Sequence, residues 1–209
     1  MIKLIRMKYT KWYNIMREGL SRNNPILIAV LGICSALAIT NRVDNAIAMG
    51  IGVTFVIIAS SATVSLIRQF IPGRVRMVTY MAIISTFVIA VQMFMEGFLP
   101  DIAEELGPYV GLIITNCIVM GRAEAFASKN PVKYTVIDGL ANGLGYLFVL
   151  VSIAVVREAL AFGTILDMRV MPSTWVNWTV MAIAPGGFFI LGLYIWIMRS
   201  MTKNYETQG

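Results

Sequence analysis

The 209-residue chain contains no histidine and two cysteines, and only 13% of its residues are charged. A soluble domain carries about 25% charged residues, so roughly half of the usual charge is missing and an ordinary cytoplasmic globule is excluded. Without histidine there is no His-ligated haem, no His-containing zinc site, and no Ser-His-Asp or Cys-His catalytic arrangement. Two cysteines make neither a disulfide framework nor the four thiolates an iron–sulfur cluster usually takes.

What the chain does have is apolar sequence, 58% of the total. A membrane span needs about 20 apolar residues to cross roughly 30 Å of hydrocarbon. Four long candidates meet this, at 46–67, 75–99, 137–161 and 176–198, and two shorter ones stand at 25–40 and 108–120. The reading is an all-α integral membrane protein of six transmembrane helices, spanning residues 25–199 between a basic segment, 1–24, and a tail, 200–209. Residues 1–24 are cationic and amphipathic without a long apolar stretch. They read as a segment lying on the cytoplasmic membrane surface, not as a cleavable signal, with Trp12 and Tyr13 suited to the headgroup layer.

Charge sets the orientation. With both termini inside, the inner segments hold fourteen of the seventeen Lys and Arg, and the outer side keeps Arg42, Arg157 and Arg169. The outer side carries seven of the eleven acids, including Glu96, Asp101, Glu104 and Glu105. The positive-inside rule therefore puts both termini in the cytoplasm. The basic balance reports topology, and no nucleic-acid partner is needed to explain it.

The two short segments share a pattern. Asn24-Pro25 leads to Cys34 and Gly107-Pro108 leads to Cys117, with the proline nine residues before the cysteine in both. Each segment opens a group of three spans, at about 25–99 and 108–198. Three is odd, so repeated halves must be inverted in the membrane, as a 3+3 inverted repeat. Paired short, Gly/Pro-interrupted segments at matching positions point to a site at the midplane. Proline suits a first helical turn, and nine residues advance a helix about 14 Å, close to half of the hydrocarbon thickness. Both segments are short for a full crossing and are followed by polar sequence, so the first and fourth helices are expected to be discontinuous. The two thiols are either ligands meeting near the bilayer centre or small packing groups, as free cysteines in apolar helices commonly are.

Residues 31–40, Leu-Gly-Ile-Cys-Ser-Ala-Leu-Ala-Ile-Thr, and 110–127, beginning Val-Gly-Leu-Ile-Ile-Thr-Asn-Cys and ending Met-Gly-Arg-Ala-Glu-Ala-Phe-Ala, carry a resemblance together with Asp138-Gly139, Asn142-Gly143-Leu144-Gly145-Tyr146 and Arg157-Glu158. They resemble the D-subunit family of the sodium-translocating NADH:quinone oxidoreductases, related to the E subunit of the Rnf electron-transport complex. Ser35 stands where Rnf relatives have proline, which favours the NADH:quinone side.

The resemblance implies a bacterial inner-membrane subunit paired with a homologous E subunit of opposite topology, in a complex with the A, B, C and F subunits. It implies a [2Fe–2S] cluster shared by the pair, with Cys34 and Cys117 as this chain's iron ligands. NAD, FAD, FMN and quinone then belong to other subunits. Electrons would pass from the cytoplasmic NADH-oxidising subunit to a flavin on the outer side, coupled to sodium translocation, with no turnover from this chain alone. The alternatives are the E subunit of an Rnf-type ferredoxin:NAD oxidoreductase, or a passive six-helix ion transporter whose cysteines only pack.

Polar residues near the cysteines have two readings. Ser35, Thr40, Thr115 and Asn116 are candidates for hydrogen bonding around a cluster, or are small polar residues packing helices. Asp138 is an interfacial cap, a salt-bridge partner of Lys133 or Arg122, or a sodium uptake point. Arg122 and Glu124 pair with each other or with a partner chain. Arg157-Glu158 suits an interface, and Pro185-Gly186-Gly187 a kink or a close helix approach in the last span. Where relatives carry an aspartate late in the third span this chain has Gln92-Met93, so no ion ligand is carried over there.

Overall fold

The computed structural model describes residues 31–98, 100–165, 168–169, 180 and 183–206. Expectations for 1–30, including Pro25 and the basic segment, lie outside the described residues. The elements are α1 (Ile33–Ile39), α2 (Val43–Ile67), α3 (Arg76–Phe98), α4 (Pro100–Ile114), α5 (Cys117–Arg122), a π-helical turn (Ala123–Ala127), α6 (Val132–Ala161), strands β1 (Thr164–Ile165) and β2 (Met168–Arg169), and α7 (Ala184–Glu206). The strands form a short antiparallel hairpin, Thr164 opposite Arg169 and Ile165 opposite Met168.

The protein is thus a helical, multi-pass membrane protein. Four runs among the described residues are long and apolar enough to cross a bilayer: Val43–Ile67, Arg76–Phe98, Gly107–Ala127 and Val132–Ala161. A shorter apolar stretch, Pro185–Met198, lies within α7. The expected segment 25–40 is described only from residue 31, where it forms the seven-residue α1. The expected span at 176–198 is described mainly from Ile183 onward.

Helices α2 and α6 form the centre. About half of the apolar window of each is buried against protein (50% and 56%), against 17% for α3. The outer face of α3, with Val78, Ile89, Met93 and Phe94, is apolar and exposed, as a helix facing hydrocarbon should be. Glycine lets the central pair approach. A Cβ on Gly143 would lie 2.6 Å from Thr54 Cγ2, and one on Gly139 would lie 3.3 Å from the Ile58 backbone. This is the small-residue contact that brings membrane helices together. Around it close Val56, Ile57, Ile118, Val119, Tyr146 and Leu150, all under 2% exposed.

One proline departs from expectation. Pro108 does not open a helix; it sits inside α4, which begins at Pro100. Proline deprives the Glu104 carbonyl of a donor, and the turn tolerates this because Glu104 and Gly107 are exposed. The interruption comes later, at Thr115-Asn116. Pro185 lies in the first turn of α7, which starts at Ala184, where its missing N–H costs nothing. The close approach does occur, since a Cβ on Gly187 would lie 2.9 Å from Leu37 Cδ2.

Candidate metal-ligand site

A turn precedes each short helix that carries a cysteine. Leu31-Gly32 is a turn in which Gly32 has φ 83°, a left-handed conformation that L side chains rarely adopt. Helix α1 follows, with Cys34 as its second residue. In the other segment α4 ends at Ile114, Asn116 is extended (φ −68°, ψ 116°), and Cys117 is the first residue of α5. Asn116 caps that start by accepting the Ile118 N–H on Oδ1 at 3.2 Å. Cys34 and Cys117 are free and exposed on the surface of the chain.

The two turns are joined behind the thiols. Ser35 and Asn116 are buried (2% and 4% exposed), and Tyr146 of α6 is fully buried between them. Ser35 Oγ donates to the Gly32 carbonyl at 3.0 Å and lies 2.5 Å from Tyr146 Oη. With its single proton so placed, Ser35 accepts from the tyrosine hydroxyl. Asn116 Nδ2 donates to Ser35 Oγ at 3.3 Å and to Tyr146 Oη at 3.5 Å. The tyrosine ring also faces the turn, since a Cβ on Gly32 would lie 3.0 Å from Tyr146 Cε2. One hydroxyl thus serves the neighbours of both cysteines.

The same helix α6 holds two further contacts. Toward its start, Asp138 and Arg122, the last residue of α5, form a two-point ion pair. Nε donates to Oδ2 at 2.9 Å and Nη2 to Oδ1. Asn142 Nδ2 supports Asp138 by donating to its carbonyl at 2.8 Å and to Oδ1 at 3.0 Å. The guanidinium also lies over the Phe126 ring, 5.3 Å from its centre. Toward its end, Arg157 is 1% exposed and donates to the Leu37 carbonyl (2.9 Å), Thr40 Oγ1 (2.6 Å) and the Ile183 carbonyl (3.3 Å). Its neighbour Glu158 accepts the Val43 N–H, the first of α2, at 2.8 Å. The dipeptide spans the α1–α2 turn, the cation on the closing carbonyls of α1 and the carboxylate on an opening amide of α2, matching both helix dipoles.

The other predicted residues fall as follows. Thr40 stands at the far end of α1 from Cys34 and bonds Ala36 O (2.5 Å) and Arg157. Thr115 is exposed and its hydroxyl donates to Gly111 O at 3.4 Å. Arg122 and Glu124 do not pair with each other. The π-helical turn that starts at Ala123 rotates Glu124 toward α3, where Arg76 Nη1 donates to it at 3.0 Å. Arg157-Glu158 is buried within the protein, because the α1–α2 turn folds over it.

Tyr146 and the roles of Arg157 and Glu158 were not evident in the sequence. The available signal was a tyrosine hydroxyl in a glycine-rich apolar span, where a buried phenol must find a partner.

Among the described residues no three His, Cys, Asp or Glu side chains converge. A metal centre here would draw two thiolates from this chain and the rest from elsewhere. The donor set suits such a half-site: two exposed thiols on joined turns, with the nearest carboxylates engaged in ion pairs.

Comparison with known proteins shows the family. The model of the family described as "Rnf-Nqr subunit, membrane protein" matches residues 12–195. The D subunit of the Na(+)-translocating NADH-quinone reductase of Chlamydia abortus is 47% identical over 199 residues, covering 90% of this chain and 93% of that protein. The D subunit of the Chlamydia caviae reductase is 49% identical over 191 residues, covering 85% and 90%. From its matched length and these identities, the chain belongs to the Rnf-Nqr family of membrane subunits.

Proposed function

We propose that this chain is the D subunit of a sodium-translocating NADH:quinone reductase and supplies half of the ligands of an intramembrane [2Fe–2S] cluster. The observation that carries the proposal is the joining of the two cysteine-bearing turns through Asn116 and Ser35, each next to an exposed cysteine. Turns at depth are tolerated where they serve a site, and these leave both thiols on the outer surface, where a second chain can complete the set. That second chain is the homologous E subunit, of opposite topology, beside the A, B, C and F subunits. A cluster so placed supplies one-electron transfer between the cytoplasmic NADH-oxidising side and a flavin on the outer side, and electron passage is coupled to sodium movement.

The chain's own work is positional. Ser35 and Asn116 hold the thiol-bearing turns, the Arg122–Asp138 pair fixes the end of α5, and the Arg76–Glu124 pair fixes the π-helical turn behind it. Six spans in a 3+3 inverted repeat, with both termini in the cytoplasm of a bacterial inner membrane, complete the proposal. Three features support it: the matched turns, the central pairing of α2 with α6, and the Lys/Arg bias.

A second reading has its own observation. Two cysteines without a third ligand among the described residues also suit an ion transporter whose thiols only pack, and the matched family spans Rnf-type subunits as well. Iron and acid-labile sulfide in the co-expressed pair of D and E subunits, isolated anaerobically, decide between them. Wild type is expected to contain both, and Cys34→Ala or Cys117→Ala to lose both with the subunits still assembled. A wild-type pair free of iron overturns the cluster.

A further inference from the structure

Two thiols that share one metal centre must keep a fixed separation, yet each lies at the start of a short helix, next to the turn that precedes it. The direct tie between the turns is a single neutral hydrogen bond, Asn116 Nδ2 to Ser35 Oγ at 3.3 Å. Tyr146 adds what that bond lacks. Its hydroxyl meets Ser35 at 2.5 Å and Asn116 at 3.5 Å, and its ring faces Gly32, which has no side chain to displace it.

Tyr146 is itself held. Helix α6 is uninterrupted from Val132 to Ala161 and is pinned to α5 at Asp138 and to α1 at Arg157. These anchors lie eight residues before and eleven after Tyr146, about 12 Å and 17 Å along the axis. The phenol therefore projects from a rod fastened on both sides of it, toward the buried backs of the turns whose thiols face outward.

We infer that Tyr146 is a positioning residue for the cysteine pair: its hydroxyl locks the Cys34 turn to the Cys117 turn and sets the separation of the two thiols. The functional meaning rests on the reading of Cys34 and Cys117 as shared ligands, but the lock is a property of this chain and can be measured without metal.

Cys34 and Cys117 are the two cysteines of the sequence, so a nitroxide maleimide applied to the full chain in detergent marks both positions and no others. Dipolar broadening of the EPR spectrum then reads their separation. Wild type is expected to give one narrow separation, and Tyr146→Phe, which keeps the ring and removes the hydroxyl, to lose it for a broad distribution. Ser35→Ala removes the same tie from the other side and is expected to act alike, and the double variant to broaden no further. Ser60→Ala, at a fully buried hydroxyl of α2 that bonds the Val56 carbonyl of its own helix, is the control and is expected to leave the separation narrow.

A narrow wild-type-like separation in both Tyr146→Phe and Ser35→Ala overturns the inference, as does equal broadening in Ser60→Ala. In the assembled complex, Tyr146→Phe is expected to retain iron while the EPR signal of the reduced centre broadens and its midpoint potential shifts. Absence of iron from the wild-type complex defeats the cluster reading and leaves the label result standing. Iron present with unchanged label separation defeats the lock and leaves the cluster reading standing.

Discussion

Arg157 donates Nη1 to the carbonyl oxygen of Leu37 across 2.9 Å, joining residues 120 positions apart and closing the end of the helix that carries Cys34. The same nitrogen donates to Thr40 Oγ1, and Nη2 reaches the Ile183 carbonyl before α7. A guanidinium suits this role because it presents several fixed donors and stays charged when buried.

Replacing Arg157 by Ala would orphan the carbonyls it serves. The expected loss is on the order of 3 kcal/mol, since buried acceptors left without donors cost about 1–3 kcal/mol each. Arg157→Lys is expected to recover only part, because an ammonium cannot reproduce the planar fork. Thermal unfolding of the purified chain in detergent reads both. An Arg157→Ala variant as stable as wild type would remove this contact from the framework of the fold.

Asp138 and Arg122 form a pair in which the carboxylate is the more deeply buried partner, with 7% side-chain exposure against 23%. Removing one member leaves the other uncompensated, at a cost of about 3–5 kcal/mol in a buried setting. Asp138→Ala and Arg122→Ala are each expected to lower stability, and the double variant to lose less than the sum. Losses that simply add would show that the two side chains act independently. Glu124→Gln is expected to have a smaller effect, because its partnership with Arg76 is more than a third exposed on both sides.

The spans were legible in the sequence because hydropathy and length are one-dimensional signals. The expected 46–67 became Val43–Ile67 and 75–99 became Arg76–Phe98. The cysteine turns were legible as short segments with matched spacing, although proline placed the second turn too early, since Pro108 is carried inside α4. Ser35 and Asn116 were legible as polar neighbours of the cysteines. Their partner was not. Tyr146 lies 111 residues from Ser35 and 30 from Asn116, and no local pattern encodes which buried hydroxyl meets which turn. The same holds for Arg157-Glu158, whose partners in the α1–α2 turn lie more than a hundred residues away. Pairing of Glu124 with Arg76 and not with Arg122 depends on the extra residue of a π turn, which composition does not announce.

The crossing of α2 and α6 gives a further test. Gly143→Ala would set a methyl 2.6 Å from Thr54 Cγ2 and 2.9 Å from Thr54 Cβ, too close for either side chain to remain in place. Overpacking of this kind costs about 1–3 kcal/mol. Thr54→Ala in the same chain is expected to restore part of the loss, since the Cβ contact persists. Gly192→Ala, with open space around it, is expected to be neutral. If Gly143→Ala proves as mild as Gly192→Ala, the two central helices do not pack as closely as described.

Gly32 combines a backbone requirement with a packing one. At φ 83° a side chain costs about 1–2 kcal/mol, and its Cβ would also lie 3.0 Å from the Tyr146 ring. Gly32→Ala is therefore expected to move either the turn or the ring, and both routes separate Ser35 from Tyr146. Cys34 lies two residues on, so its thiol moves with the turn, whereas Cys117 is reached only through Asn116, which also caps α5. In the assembled complex the iron content should fall, and in the free chain the rate of maleimide reaction should change more at Cys34 than at Cys117. Mass spectrometry of partly labelled chain distinguishes the two thiols. Equal changes at both would mean that Gly32 supports the fold generally and has no particular hold on the Cys34 turn.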